Sequence, residues 1–361
     1  MVNEIDIVFG LLRLSLGDNA GQETLNSQLS TLNSKEWWSL FRLLQRNHVA
    51  ALCYEAAAAT DIPREVKIPW LAEREKAVGW HRHQHKVQDE IVATMQAHGI
   101  QTLVLKGTHI AQYYPQADLR EFGDLDLYFY DKHDGADRVA HEVLKVEVNN
   151  DAHHHSKYNY HGVTVESHYD FVNVHYPPSN RRYEALLKEL VGTKDSLSTF
   201  NFQLSTFEIL FLLRHMACHF ASSRNTLRDI VDWTLTCRAL QDKVDWQLVE
   251  KTIVDYGMVE YVSTLNAIAE QRLGFQPPSS SVSLSPYHPL TLSLVEKDLV
   301  YGSPEADDKK ADGLARLSWK LRRWRALAWK RSMVYNDNPT GLLIASITSH
   351  TKKPQSILHK Q

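Results

Sequence analysis

Along residues 1–98 the apolar positions recur at helical spacing. In "EWWSLFRLLQRNHVAALCYEAAAA" the residues Trp37, Leu40, Leu44 and Ala51 fall on one stripe, as an amphipathic helix requires. "DIPREVKIPW" interrupts the pattern with two prolines, and a long polar helix is predicted from about Leu71 to His98. It ends at Gly99, a residue suited to the left-handed backbone that closes a helix.

The texture then changes. "IQTLVLKG" predicts a short buried strand, "THIAQYYP" a helical turn or two, "DLDLYFY" a second strand and "GADRVAHEVLKVE" a helix. "HHHSKYNYHGVTVESHYDFV" predicts two strands that turn near His161 and Gly162. Residues 99–200 therefore form an α/β or α+β unit of ordinary domain size. From residue 201 to 361 the helical period returns, in "TFEILFLLRHMACHFA", "TLRDIVDWTLTCRALQ", "WQLVEKTIVDYG" and "VEYVSTLNAIAEQRL". "GFQPPSSSVSLSPYHP" is predicted as a loop, a basic last helix runs from about Leu314 to Tyr335, and the tail "SHTKKPQSILHKQ" is expected to be mobile. The predicted fold class is α+β, a short mixed sheet flanked by N-terminal and C-terminal helical regions.

Composition narrows the function classes. With 43% hydrophobic and 23% charged residues the chain has the make-up of a folded globular protein rather than a disordered or fibrous one. A net charge of -3 gives it no basic field, so any polyanion contact has to be local. Three cysteines, Cys53, Cys218 and Cys237, are too few and too widely spaced for a disulfide framework or a zinc ribbon, which points to a reducing compartment. The start "MVNEIDIVFGLLRLSLGD" lacks a basic region and a cleavage site, and no window reaches the ~20 apolar residues of a membrane-spanning helix. A cytoplasmic location is the expectation.

Candidate chemistry begins at "LREFGDLDLYFY". Strand side chains alternate, so Asp124 and Asp126 share one face while Leu125 and Leu127 enter the opposite layer. Two carboxylates so close repel, and one protonates unless a cation lies between them. A divalent ion, Mg2+ (or Mn2+), removes the conflict, since it takes a few carboxylate oxygens together with waters and phosphates. In "GVTVESHYDF", Val163 and Val165 alternate with Glu166 and His168, which puts Glu166 on the polar face of a neighbouring strand as a third acid. Upstream, "LVLKGTHI" ends a strand in Lys106, Gly107 and Thr108, where backbone N–H groups, a hydroxyl and an ammonium meet at a helix start and suit a triphosphate.

With these residues in place, the chain resembles the uncharacterised nucleotidyltransferase family of bacteria, within the DNA polymerase beta-like nucleotidyltransferase superfamily. The likeness rests on Leu105, Lys106, Gly107, Arg120, Gly123, Asp124 and Asp126, then Glu166 and His168. Thr108 stands where the superfamily more often has Ser. The likeness is strongest over residues 99–170 and extends more loosely into "HMACHF" and "LRDIVDW". It implies a magnesium-dependent, two-metal transfer of a nucleotidyl group from ATP or another nucleoside triphosphate to an acceptor, with pyrophosphate leaving. Asp124, Asp126 and Glu166 would hold the metals and carry the catalysis. Lys106, Gly107 and Thr108 would face the phosphates, and Arg120 would neutralise pyrophosphate or else pair with a carboxylate inside the protein. His168 would lie behind the ligands or face substrate. The acceptor is expected to be a small molecule, with no transmembrane segment and no strong nucleic-acid signal. The rival expectations are a non-catalytic nucleotide-binding or interaction module on the same fold, and an enzyme that modifies protein or RNA.

The remaining motifs carry less. His215 and His219 in "HMACH" stand four residues apart, but Met216 takes the place of the glutamate a zinc protease needs. They are expected at the interface between helices and site or in the core, and Asp229 in the pocket or at a helix cap. "HRHQH" at 81–85 and "HHH" at 153–155 are expected as exposed helix and loop residues. "SWKLRRWRALAWKRS" interleaves tryptophans with basic residues, a pattern that suits docking onto the protein's own core as well as an anionic surface.

Overall fold

The computed structural model describes residues 4–150, 154–192, 200–276, 287–303 and 313–352. Five helices lead in: α1 (Glu4–Ser15), α2 (Gln22–Leu29), α3 (Ser34–Arg46), α4 (Ala50–Ala58) and α5 (Arg64–Ala97). The mixed unit follows as β1 (Leu103–Val104), α6 (Thr108–Ala111), β2 (Asp124–Tyr128), α7 (His133–Glu142), β3 (His155–Tyr160) and β4 (Val163–His168). The remaining helices are α8 (Asn180–Val191), α9 (Phe200–Ser222), α10 (Leu227–Leu240), α11 (Trp246–Asp255), α12 (Val259–Leu273), α13 (Pro289–Tyr301), α14 (Gly313–Ala326), α15 (Ala328–Val334) and α16 (Pro339–Lys352). The fold is α+β with helical flanks, as its periodicities indicate.

The sheet runs β1-β2-β4-β3, with β2 and β4 parallel and both outer pairs antiparallel. A two-residue hairpin joins β3 to β4 at His161 and Gly162, whose φ angles of 50° and 82° suit the tight twisted turn. The alternation of β2 and β4 then divides the sheet. Leu125, Leu127, Val163 and Val165 are fully buried in a core with Val87, Ile91 and Met95 of α5 and Ala136 and Ala140 of α7. The other face carries Asp124, Asp126, Glu166 and His168.

A second, larger core joins the N-terminal helices to α8–α13 and takes in Leu105, Ile110, Leu119 and Tyr128 from the mixed unit. Helix α5 belongs to both cores: Val66, Trp70 and Val78 pack in the larger, Val87, Ile91 and Met95 in the smaller. It therefore fixes the sheet against the helical body.

Some elements differ from their sequence patterns. The stripe of Trp37, Leu40, Leu44 and Ala51 is buried throughout, yet it belongs to two helices, because His48 turns left-handed at φ 56° between them. Helix α5 starts at Arg64 and runs through Pro69, since Val66 and Trp70 are fully buried and the Trp70 indole donates to the Ala50 carbonyl at 2.7 Å. Burial there outweighs one lost backbone hydrogen bond. The basic stretch breaks at Leu327 into α14 and α15, and α16 follows, so it is not the last helix. Its buried Lys330 donates to Asp298 at 2.6 Å, which ties α15 to the core. Residue His153, most of the proline- and serine-rich loop and residues 353–361 of the tail lie outside the described residues. No helix among the described residues is long and apolar enough to cross a membrane.

Candidate active site

Parallel pairing of β2 with β4 sets Asp126 opposite Glu166 and Tyr128 opposite His168. Oxygens of Asp126 and Glu166 and a ring nitrogen of His168 lie within 4.8 Å of one another. Asp124, two residues back on the same face, is outside this compact trio but within its field. Burial, then the charges of Asp126 and Glu166, raise the Asp124 pKa above the usual carboxylate value, and Lys106 only partly offsets them.

Asp126 is almost inaccessible, and burial alone would neutralise it. The Lys106 ammonium 3.0 Å from its Oδ1 and the His168 Nε2 at 3.1 Å reverse that effect and hold its carboxyl well below the usual range. Burial likewise opposes the charge of Lys106, yet Asp126, Asp124 and Glu166 outweigh it and raise the lysine pKa. Three carboxylates thus surround Lys106, and Lys157 pairs with Glu166 from the sheet edge.

Lys106 is brought in by the strand end and by a glycine turn. Leu105 N–H donates to the Asp126 carbonyl at 3.0 Å, which clamps the end of β1 beside β2. Gly107 has φ 60° and ψ -113°, and a Cβ there would stand 3.2 Å from the Phe122 ring, so the turn needs glycine. Helix α6 that follows is four residues long, too short to supply the dipole its sequence suggests. The buried Thr108 hydroxyl donates to Gln88 Oε1 of α5. Gln84, one turn before Gln88, donates to the Gly123 carbonyl at 3.3 Å.

Arg120 lies in the interior, where its Nε and one terminal nitrogen form a two-pronged pair with Asp232 of α10 at 2.8 and 2.7 Å. The other terminal nitrogen donates to the Gly107 carbonyl at 3.2 Å. Of the two roles open to it from sequence, the carboxylate pairing is the one its geometry displays. Tyr114 donates to the same Asp232 at 2.6 Å.

Glu166 is flanked by Lys157, directly opposite on β3 with Nζ at 2.9 Å, and by His155 Nε2 at 3.5 Å. His154 and His155, expected as exposed residues, instead pack against His168 with ring centroids at 5.5 and 5.2 Å. In "HRHQH" His81 is buried edge-on to Phe122, while His83 and His85 are half-buried. On the facing helix α9, His215 Nε2 lies 3.2 Å from Lys106 Nζ, and burial, then Lys106, push the His215 pKa well down. His215 and His219, with rings 4.5 Å apart, line the contact between helices and site. Asp229 caps α10, accepting from the Thr226 backbone N–H at 2.6 Å.

The residues that sequence reasoning missed are Asp232, His154, His155 and Lys157. Asp232 stood in a motif already noticed, but its partner is 112 positions away. His155 and Lys157 could be placed only by the β3–β4 register.

The donor set fits a divalent cation: carboxylates in register on adjacent strands, whose charge Lys106 and Lys157 offset only in part. A family model described as uncharacterised nucleotidyltransferase matches residues 33–274, a stretch that contains every residue of this site. No curated protein and no solved structure matches the chain.

Proposed function

This chain belongs to the uncharacterised nucleotidyltransferase family, and from that premise we propose that it moves a nucleoside monophosphate group from a nucleoside triphosphate to a small acceptor. The single observation that carries this reading is the pairing of Asp126 with Glu166 across parallel strands, with Asp124 on the same face. Kinship with the polymerase beta-like superfamily and dependence on Mg2+ (or Mn2+) are parts of the proposal. In the reaction an acceptor oxygen bonds to the α-phosphorus, the bond from that phosphorus to the bridging oxygen breaks, and pyrophosphate leaves. Metal ions bound there would stabilise charge on the attacking and leaving oxygens.

Asp124, Asp126 and Glu166 would hold the cations. The acceptor proton would pass to Glu166, the carboxylate on the acceptor side. Lys106 and the N–H groups of the Gly107–Thr108 turn face the triphosphate. Arg120 acts one step removed, by holding the Gly107 carbonyl through its pair with Asp232. His168 orients Asp126. The small-acceptor reading draws on the net charge of -3, which gives no general attraction for nucleic acid.

The test is to incubate the protein with each α-labelled nucleoside triphosphate, a metabolite extract and Mg2+. Label should enter a small molecule, and the Asp124→Asn, Asp126→Asn double variant should abolish it. Label found in protein or RNA would overturn the acceptor assignment. Unchanged labelling in the double variant would overturn the site.

A further inference from the structure

We propose that His154, His155 and His168 form a separate site for a transition-metal dication of the zinc class, set directly beside the carboxylates. The three side chains offer nitrogens within 4.8 Å of one another, and the rings stand 4.6, 5.2 and 5.5 Å apart between centroids. Zinc–nitrogen bonds of about 2.0–2.1 Å bring ligand atoms to ~3.3 Å, a contraction within reach of side-chain rotation.

The hydrogen bonding independently asks for a cation. Nδ1 of His154 and Nδ1 of His155 are buried and have no hydrogen-bond partner. A buried ring nitrogen left in that state is costly unless a ligand takes its lone pair. His168 has the opposite problem, because Nδ1 is 3.2 Å from the Asp170 carbonyl and Nε2 is 3.1 Å from Asp126 Oδ1. Both partners only accept, so His168 meets them either as an imidazolium or with a metal on one nitrogen. A metal held by the three rings would take both orphaned Nδ1 lone pairs and Nε2 of His168 at once.

The outer partners already select the ligating nitrogens. The Asp170 carbonyl, 3.2 Å from His168 Nδ1, would hold the ring proton in the metal-bound form and leave Nε2 to the metal in place of Asp126. Glu166 Oε1 lies 3.5 Å from His155 Nε2, on the ring nitrogen opposite the unpartnered Nδ1. This carboxylate–histidine arrangement is how metal-binding imidazoles are commonly oriented. The backbone is also fixed, since the N–H groups of Tyr169 and Asp170 both donate to the His154 carbonyl at 3.1 Å. Imidazole nitrogen suits zinc, cobalt, nickel or copper, while the oxygen-rich pair next door suits magnesium. His168 stands at the joint between the two compartments.

The proposal is separable from nucleotidyl transfer, because its readout needs no nucleotide and a negative result leaves that reading untouched. The full chain, stripped with chelator, is titrated with Zn2+ in millimolar Mg2+ against a chromogenic chelator. One zinc per chain should bind without displacement by Mg2+. The His154→Gln, His155→Gln variant, checked for folding by circular dichroism, should weaken binding at least about tenfold. Asp124→Asn should retain it. Co2+ added to the wild-type chain should give the intense visible bands of a tetrahedral nitrogen-rich site, a readout that requires no variant. Absence of zinc binding, zinc affinity that follows Asp124 rather than the histidines, or the weak bands of six-coordinate cobalt would each overturn the proposal.

Discussion

The Lys106 ammonium lies 3.0 Å from Oδ1 of Asp126, with side chains 14% and 2% exposed. Lysine thereby supplies, inside the protein, the positive charge that the carboxylates require. Removing one member of a buried pair leaves the other uncompensated, at about 3–5 kcal/mol. Lys106→Ala should therefore lower stability by about 3 kcal/mol, and Mg2+ should restore part of the loss because a dication can take the ammonium's place. Urea unfolding of both proteins with and without Mg2+ measures this. An equal Mg2+ effect in the two would show that lysine and metal do not share the carboxylates. Activity of the variant should fall about a hundredfold, the cost typical of losing one preorganised donor to developing charge.

A second pair holds the turn rather than the acids. Arg120 and Asp232 are both buried, the arginine spans Asp232 and the Gly107 carbonyl, and Gly107 has the positive φ that its turn demands. Asp232→Asn should cost about 3 kcal/mol of stability and raise KM for the triphosphate more than it lowers kcat. Arg120→Lys should behave similarly, because a point charge cannot reproduce the two-pronged fork. The Arg120→Met, Asp232→Leu double variant should recover much of the stability without recovering KM. Recovery of both would mean that the pair serves packing alone.

The contrast between these two pairs shows how far the sequence reaches. That Asp124, Asp126 and Glu166 share a face follows from a period of two in segments whose intervening residues are Leu and Val, and the sheet register agrees. The hairpin at His161 and Gly162 was legible for a similar local reason. Asp232 was not, because its meaning depends on α10 packing over the Gly107 turn. His154 and His155 read as loop residues until strand pairing set His155 opposite His168. Helix ends were obscured where burial overrode local preference, at Pro69, and where a left-handed His48 split a continuous apolar stripe.

His81 gives a stability signature that can be read without substrate. Its ring is buried 5.7 Å from Phe122 and 4.7 Å from His85, and its Nδ1 has no partner. Burial, then the neighbouring His85, push its pKa down to about 4, against about 6.5 in an unfolded chain. As pH falls, the unfolded state therefore takes up the proton first. The contribution of a neutral His81 is complete above about pH 6.5 and is lost progressively down to about pH 4, with a slope approaching 1.4 kcal/mol per pH unit for one proton. His81→Phe keeps an apolar ring against Phe122 and removes the proton. Its urea midpoint should fall less steeply than wild type across that window, by about one proton's worth, while His154, His215 and His219 continue to contribute in both proteins. Parallel curves would mean that His81 is not held neutral in the fold.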